Sequence, residues 1–281
     1  MKQRIRYFLL TITAILIFSG CSTKENDAAT LIENARQKMA EVTSLQAKMN
    51  MNVKMNLDSE EISTIATADI STFVQPLKMK LDVSSFMENN VEQKTIMQMY
   101  VQEQGDGITA FINAGTGWVR TQLEKNSLGQ YQVYDNIIGY LSSIENPENK
   151  GAEKIGDTSV VRIDGVLKGE TMGKIIEDSG ILTSAFNLGI SQEELQAMYK
   201  EIGELPVTLW IGEDGLVYQC ETDISNLIQM IIDKTIDLFT DDNAENNSNF
   251  SVQHASFSMS YSNFNSVEDF EIPEEALESG Q

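Results

Sequence analysis

Apolar and polar residues alternate strictly from Leu45 to Leu57. Leu45, Ala47, Met49, Met51, Val53, Met55 and Leu57 are interleaved with Gln46, Lys48, Asn50, Asn52, Lys54 and Asn56. A period of two sends successive side chains to opposite sides of an extended backbone, so the stretch predicts a long strand with one apolar and one wet face. The same alternation returns over 62–70, 77–83 and 95–101, with the polar runs 58–61 and 89–90 as turns. Four such strands joined by short polar connections predict an antiparallel meander. Ahead of them, Leu31, Ile32, Ala35, Met39 and Val42 recur at helical spacing between charged residues, which predicts an amphipathic helix opened by Asp27 as its cap.

The later chain is more broken. Ala114-Gly115-Thr116-Gly117 joins two apolar stretches, 108–113 and 118–123, as a hairpin whose glycines admit positive φ. Residues 124–134 read as loop, 135–144 as a short helix, 146–156 as a polar, glycine-broken connection and 160–167 as a strand. Two helical stretches follow at 170–178 and 191–202, the second opened by a Ser191/Glu194 capping box. The apolar piece 181–188 between them is either helix or lid loop. A second hairpin joins 206–211 to 216–223 through Gly212-Glu213-Asp214-Gly215. An apolar helix over 227–239, an acidic Asn-rich loop over 240–251 and a last strand complete the pattern. That strand sets Ala255, Phe257, Met259 and Tyr261 against His254, Ser256, Ser258 and Ser260. The reading is α+β, with no repeat of 20–50 residues.

The N-terminus adds a location. Lys2, Arg4 and Arg6 precede twelve apolar-rich residues, 7–18, and then Ser19, Gly20 and Cys21. A basic head, a short apolar run and a small-residue cleavage site are the parts of a secretory signal peptide. The run is too short for a membrane-spanning helix, which needs roughly 20 residues. Ser19-Gly20-Cys21 resembles a bacterial lipobox, with Phe18 where that motif usually has leucine. The resemblance implies cleavage before Cys21, lipid attachment to its thiol and anchoring on the outer face of the cytoplasmic membrane. The other reading is a plain secreted protein with Cys21 free. The expected division is a signal peptide at 1–20, a lipidated tether at 21–29, one domain at 30–275 and a tail at 276–281.

Charge narrows the partners. The chain carries 20 basic and 42 acidic residues, and losing the signal takes three basic residues, moving the net charge from −22 to −25. Nucleic acid is excluded as a partner because phosphate contacts need clustered Lys and Arg. Electrostatic adhesion to anionic lipid is disfavoured for the same reason, leaving the lipid on Cys21 as the tie to the membrane. With Cys21 acylated, Cys220 has no disulfide partner and reads as a small buried hydrophobe.

The order of parts is informative as a whole. Tether, amphipathic helix, long alternating strands, the 114–118 Ala-Gly-Thr-Gly-Trp hairpin, the Trp210 hairpin and the Phe270-Glu271-Ile272-Pro273-Glu274-Glu275 ending resemble the LolA/LppX-like family of envelope lipoproteins and carriers. The resemblance implies a curved antiparallel half-barrel with helices packed on its concave side, and a hollow that holds acyl chains in better-known relatives.

Candidate chemistry is sparse. Met49, Met51, Met55, Met79, Met97 and Met99 fall on the apolar faces of the early strands and Met259 on that of the last. Flexible, polarizable thioethers suit a surface that repacks around varied apolar ligands. The same pattern is also what a sheet face packed under its own helices would show. No Gly-x-Ser-x-Gly elbow is present, and His254, the only histidine, falls on a polar face. One histidine and one spare cysteine make zinc improbable. The acidic run 241–245 lacks the spacing of a calcium loop. The expectation is a non-catalytic, cofactor-free envelope protein that binds or carries an amphiphile. The alternative is an interaction module of the same fold, with a filled hollow and an envelope protein as partner.

Overall fold

The computed structural model describes residues 27–58, 60–88, 90–105, 107–123, 133–169, 171, 197, 199–239 and 250–279. The signal peptide, Cys21 and the segments 181–188 and 241–245 lie outside them.

Eleven strands form one open antiparallel sheet. They are β1 (Ser44–Leu57), β2 (Glu60–Phe73), β3 (Lys78–Met87), β4 (Asn90–Gln104), β5 (Gly107–Asn113), β6 (Trp118–Leu123), β7 (Glu145–Ile155), β8 (Thr158–Lys168), β9 (Glu204–Gly212), β10 (Val217–Asp223) and β11 (Phe250–Ser262). Their order across the sheet is β6-β5-β4-β3-β2-β1-β11-β10-β9-β8-β7. The helices delimited among the described residues are α1 (Ala28–Ala40), α2 (Val133–Ser143), α3 (Ser225–Phe239) and α4 (Glu274–Glu278). The alternating stretches all become strands, and β1 sits in the middle, paired with β2 on one side and β11 on the other.

The inner face holds the core. Ile32, Ala35 and Met39 of α1 and Ile137 and Leu141 of α2 bury against Leu45, Ala47, Ile163, Leu167, Leu205 and Leu209. Asp27 does sit at the start of α1, but its side chain makes no capping bond; its carbonyl accepts from Leu31 N at 3.0 Å.

Two strands depart from expectation or need help. The 146–156 stretch is not a connection but edge strand β7, almost all of it exposed. A strand with a single neighbour and both faces wet has no reason to alternate, so it leaves no periodic signal. Pro147, two breaks of register and Lys150 and Lys154 make it a poor template for another chain. The second case is β11, which outruns β10 at its N-terminal end. There α3 completes the ladder: Ile224 N donates to Ala255 O and Ala255 N to Ser225 Oγ, each at 2.8 Å. The Gln229 amide does the work of a strand edge, accepting from Val252 N at 2.6 Å and donating to Phe250 O at 3.4 Å.

The C-terminal segment crosses the outer face. Phe270 packs on Phe73 and Tyr100, with ring centroids 6.0 and 6.2 Å away, and Tyr100 packs on Trp118 at 5.7 Å. Phe111 and Ala276 complete this second small core, and Lys78 pairs with Asp269 beside it. Asn265 ties the segment to the start of β1 by accepting from Thr43 N at 2.7 Å.

Candidate functional site

Register assigns every side chain of the sheet to a face. One inner row runs Met97, Val83, Ala68, Met49, Met259, Cys220, Leu209 and Ile163, crossing from β4 to β8. The row nearer the start of β1 holds Met99, Leu81, Ile70 and Ala47. The row on its other side holds Thr95, Ser85, Ala66, Met51, Phe257, Thr222 and Val207. Met79 and Met55 fall on the same face, so all seven candidate methionines share it.

Burial separates them. Met79 and Met99 are 2% and 1% exposed, and Met259 is also buried. Met49, Met51, Met55 and Met97 are half-buried, as are Val83 and Phe257. Met87 is 48% exposed and pairs with Thr64, which puts it on the inner face at the same open end. The sequence reading missed Met87, although extending the Met79, Leu81, Val83 alternation by two steps finds it. Across β8–β10 the same face is largely closed: Ile163, Leu167, Leu205, Val207, Leu209 and Cys220 are all buried, while Val161 and, on β11, Phe257 are half-buried. The inner face is therefore sealed in one half and partly open over β1–β4.

Charge follows the faces as well. In β1–β6, Lys48, Lys54, Lys78, Lys80 and Arg120 alternate onto the outer face, and exposed Lys94 lies in the irregular stretch of β4 between Asn90 and Thr95. The carboxylates that register places inward are Glu60, opposite Leu57 at the open rim, and Glu103, opposite Ile108 at the far end. Glu103 accepts from Leu77 N at 3.1 Å. These two stand at opposite ends of the strands, so they do not converge as an acid/base pair.

The sealed half contains a buried thiol–phenol cluster. Cys220 Sγ lies 3.7 Å from Tyr261 Oη. Burial pushes the thiol up to about 11 and raises the phenols of Tyr261 and Tyr140. A thiol held neutral is a poor nucleophile, so Cys220 acts as core. His254 is exposed on the outer face, opposite Lys54. Among the described residues no three His, Cys, Asp or Glu side chains are grouped to hold a metal ion. No helix among them is long and apolar enough to cross a membrane.

A cleft of about 430 Å³ lies where the chain leaves β8 and returns to β9, lined by Lys168, Gly169, Tyr199, Lys200, Gly203 and Glu204. None of the seven methionines lines it. Gly169 N donates to Gly203 O at 2.6 Å, and a Cβ on Gly169 would collide with the backbone of Tyr199. Glycine is what lets the two limbs of the excursion meet here.

Comparison with known proteins bears on the fold. A family of unknown function (DUF6612) matches residues 27–133. No curated protein matches the chain. LprF from Mycobacterium bovis has a TM-score of 0.50 at 14% identity, over 92% of this chain and 100% of LprF. Mycobacterium tuberculosis lipoprotein LppX has a TM-score of 0.48 at 16% identity, over 87% of this chain and 98% of LppX. A LolA superfamily protein from Nitrosomonas europaea, at a TM-score of 0.23 and 11% identity, covers 87% and 94%. The likeness to LprF establishes the fold, an open antiparallel sheet like that of LprF, as the order of sequence landmarks leads one to expect.

Proposed function

We propose that this chain is a non-catalytic lipoprotein of the bacterial cell envelope that binds or carries an amphiphile on the inner face of its sheet. The observation that carries the reading is the split in that face. A sheet packed only for stability would be covered throughout, whereas here Met49, Met51, Met55 and Met97 stay half-buried on the same face that buries Met79, Met99, Leu81 and Ile70. Apolar surface left open and lined by adaptable side chains is the common character of ligand sites. The LppX-like fold agrees with this use. The lipobox supports lipid attachment at Cys21, and the tether 21–29 would leave the domain 30–275 close to the outer face of the cytoplasmic membrane.

The test is extraction. Residues 22–281, made without the lipid anchor and purified without detergent, are extracted with organic solvent and the extract is examined by mass spectrometry. A stoichiometric amphiphile is expected, and it should be lost in a folded variant carrying Met51→Glu and Met97→Glu. Both positions are half-buried, so a carboxylate there reaches water and the fold survives. An empty protein that also refuses added lipid overturns carriage and leaves the protein–protein module, to be pursued by cross-linking.

A further inference from the structure

The inner face carries two populations of methionine. We infer that Met49, Met51, Met55, Met87 and Met97 form a modification site, where a peroxide converts thioethers to sulfoxides and makes the hollow release apolar tails. The consequence for binding rests on the carrier reading above. The chemistry at the sulfurs stands apart from it.

Register orders the methionines by depth. Met49 and Met97 share one row with Ala68 and Val83. Toward the hairpin tips, Met51 lies one row on, Met87 two rows and Met55 three. Met49, Met51, Met55 and Met97 are half-buried and Met87 is exposed. In the opposite direction Met99 lies one row away and Met79 two, and both are buried. Met259, opposite Met49 on β11, and Met39 in α1 are buried too. The reachable thioethers thus begin at one row and continue outward to the tips. Strands β8, β9 and β10 carry no methionine, so they offer an oxidant no thioether.

Methionine oxidation follows access to the sulfur. A sulfur lone pair attacks one peroxide oxygen, the O–O bond breaks, and the other oxygen leaves as water. The sulfur gives up two electrons and the peroxide takes them. A thiol-dependent reductase reverses the change, returning two electrons and releasing the oxygen as water. On a half-buried side chain the new S=O keeps water as its hydrogen-bond partner, so the fold survives. An apolar tail laid on the same rows strips that water and leaves the acceptor unbonded, which weakens binding. Cys220 is no rival target, because it is buried and a thiol held neutral is a poor nucleophile. Export, which the N-terminal signal supports, would place the five sulfurs outside the reducing cytoplasm.

The experiment treats detergent-free residues 22–281 briefly with dilute hydrogen peroxide, quenches with free methionine and maps sulfoxides by peptide mass spectrometry. Met87 should oxidise first, and Met49, Met51, Met55 and Met97 next. Met39, Met79, Met99 and Met259 should lag by about tenfold or more and lose that protection in urea. Far-UV circular dichroism should hold. Affinity for the uncharged apolar reporter N-phenyl-1-naphthylamine should fall about tenfold or more, the effect of burying one unbonded polar group. Methionine sulfoxide reductases should restore it. Met230 on α3 is also half-buried, so a variant combining Met49→Leu, Met51→Leu, Met55→Leu, Met87→Leu and Met97→Leu tests the assignment. Leucine is close in volume and has no sulfur. Peroxide should leave that variant's own affinity, whatever its starting value, unchanged. The proposal is overturned if Met79 oxidises as fast as Met87, if oxidation unfolds the chain, or if the reporter binds as well after the five sulfoxides form. It is also overturned if the leucine variant loses affinity as the parent does, or if the reductases restore nothing. A reporter that never binds the untreated protein overturns the carrier reading and the consequence for binding, while the sulfoxide map alone still decides the modification site.

Discussion

The two halves of the inner face solve the same covering problem with different side chains. Over β8–β11 the face is built from Val207, Leu209, Ile211, Ile163 and Leu167, all buried beside α1 and α2. Over β1–β4 it mixes buried Met79, Met99, Leu81 and Ile70 with Met49, Met51, Met55, Met97, Ala66, Ser85 and Thr95, none of which is fully buried. Branched aliphatic side chains have few rotamers and suit partners that do not move. Methionine has three rotatable bonds and suits a partner that changes. The contrast teaches that stiff side chains dominate where the sheet is sealed, while methionines serve both as core, at Met79, Met99 and Met259, and as compliant cover where the sheet is left open.

The largest expected effect comes from breaking the sealed half. Leu209, 0% exposed, should cost about 2–5 kcal/mol of stability when cut to alanine, through lost transfer free energy and the cavity left behind. Half-buried Met51→Ala should cost only about 1 kcal/mol, since part of its surface is already in water. Urea unfolding of both variants reads the difference, and equal losses would erase the distinction between the halves. Next in size is the seam between them. Gln229→Ala removes both amide bonds to β11 and should cost about 1–2 kcal/mol. Amide exchange should quicken at Val252 while that at Leu209 holds, and uniform quickening would count against a local role. The smallest effect is alkaline. Cys220 titrates near 9 when unfolded and about 11 when folded, so its contribution is fully present below about pH 9 and is lost as pH rises toward 11. Stability of the parent should fall over that window more steeply than that of Cys220→Ala; identical slopes would mean that the thiol is not held in a sealed environment.

How far the sequence reaches differs between these regions for a physical reason. Strands with one wet and one dry face announce themselves, so β1–β4 and β11 were readable from alternation, and with them the shared face of all seven methionines. The depth of each methionine was not readable. Met97 and Met99 are two residues apart in one pattern, yet one is half-buried and the other is core, because coverage depends on what the rest of the fold lays over each row of the sheet. Strand β7 was missed because an exposed edge imposes no period. The role of Gln229 was also hidden, since a polar residue on a helix gives no sign that it faces an unfinished strand. Likewise the Phe270–Glu275 ending was recognisable as a landmark, but its packing over Tyr100 and Trp118 follows only from the outer-face register.

The pairing of β1 with β11 sets an order of events. Gln46 and Asn263, hydrogen-bonded side chain to side chain, are 217 residues apart in the chain. The hairpins from β1 to β6 close over short loops and can form as the chain emerges, whereas the central seam must wait for almost the last residue. Through that interval β1 is a bare edge with a methionine-rich side, the combination most prone to join a neighbouring chain. A product ending before residue 250 never loses that edge. Truncation near the C-terminus should therefore yield aggregate rather than a smaller working protein, and a growing chain needs to be kept from its neighbours until synthesis is nearly done.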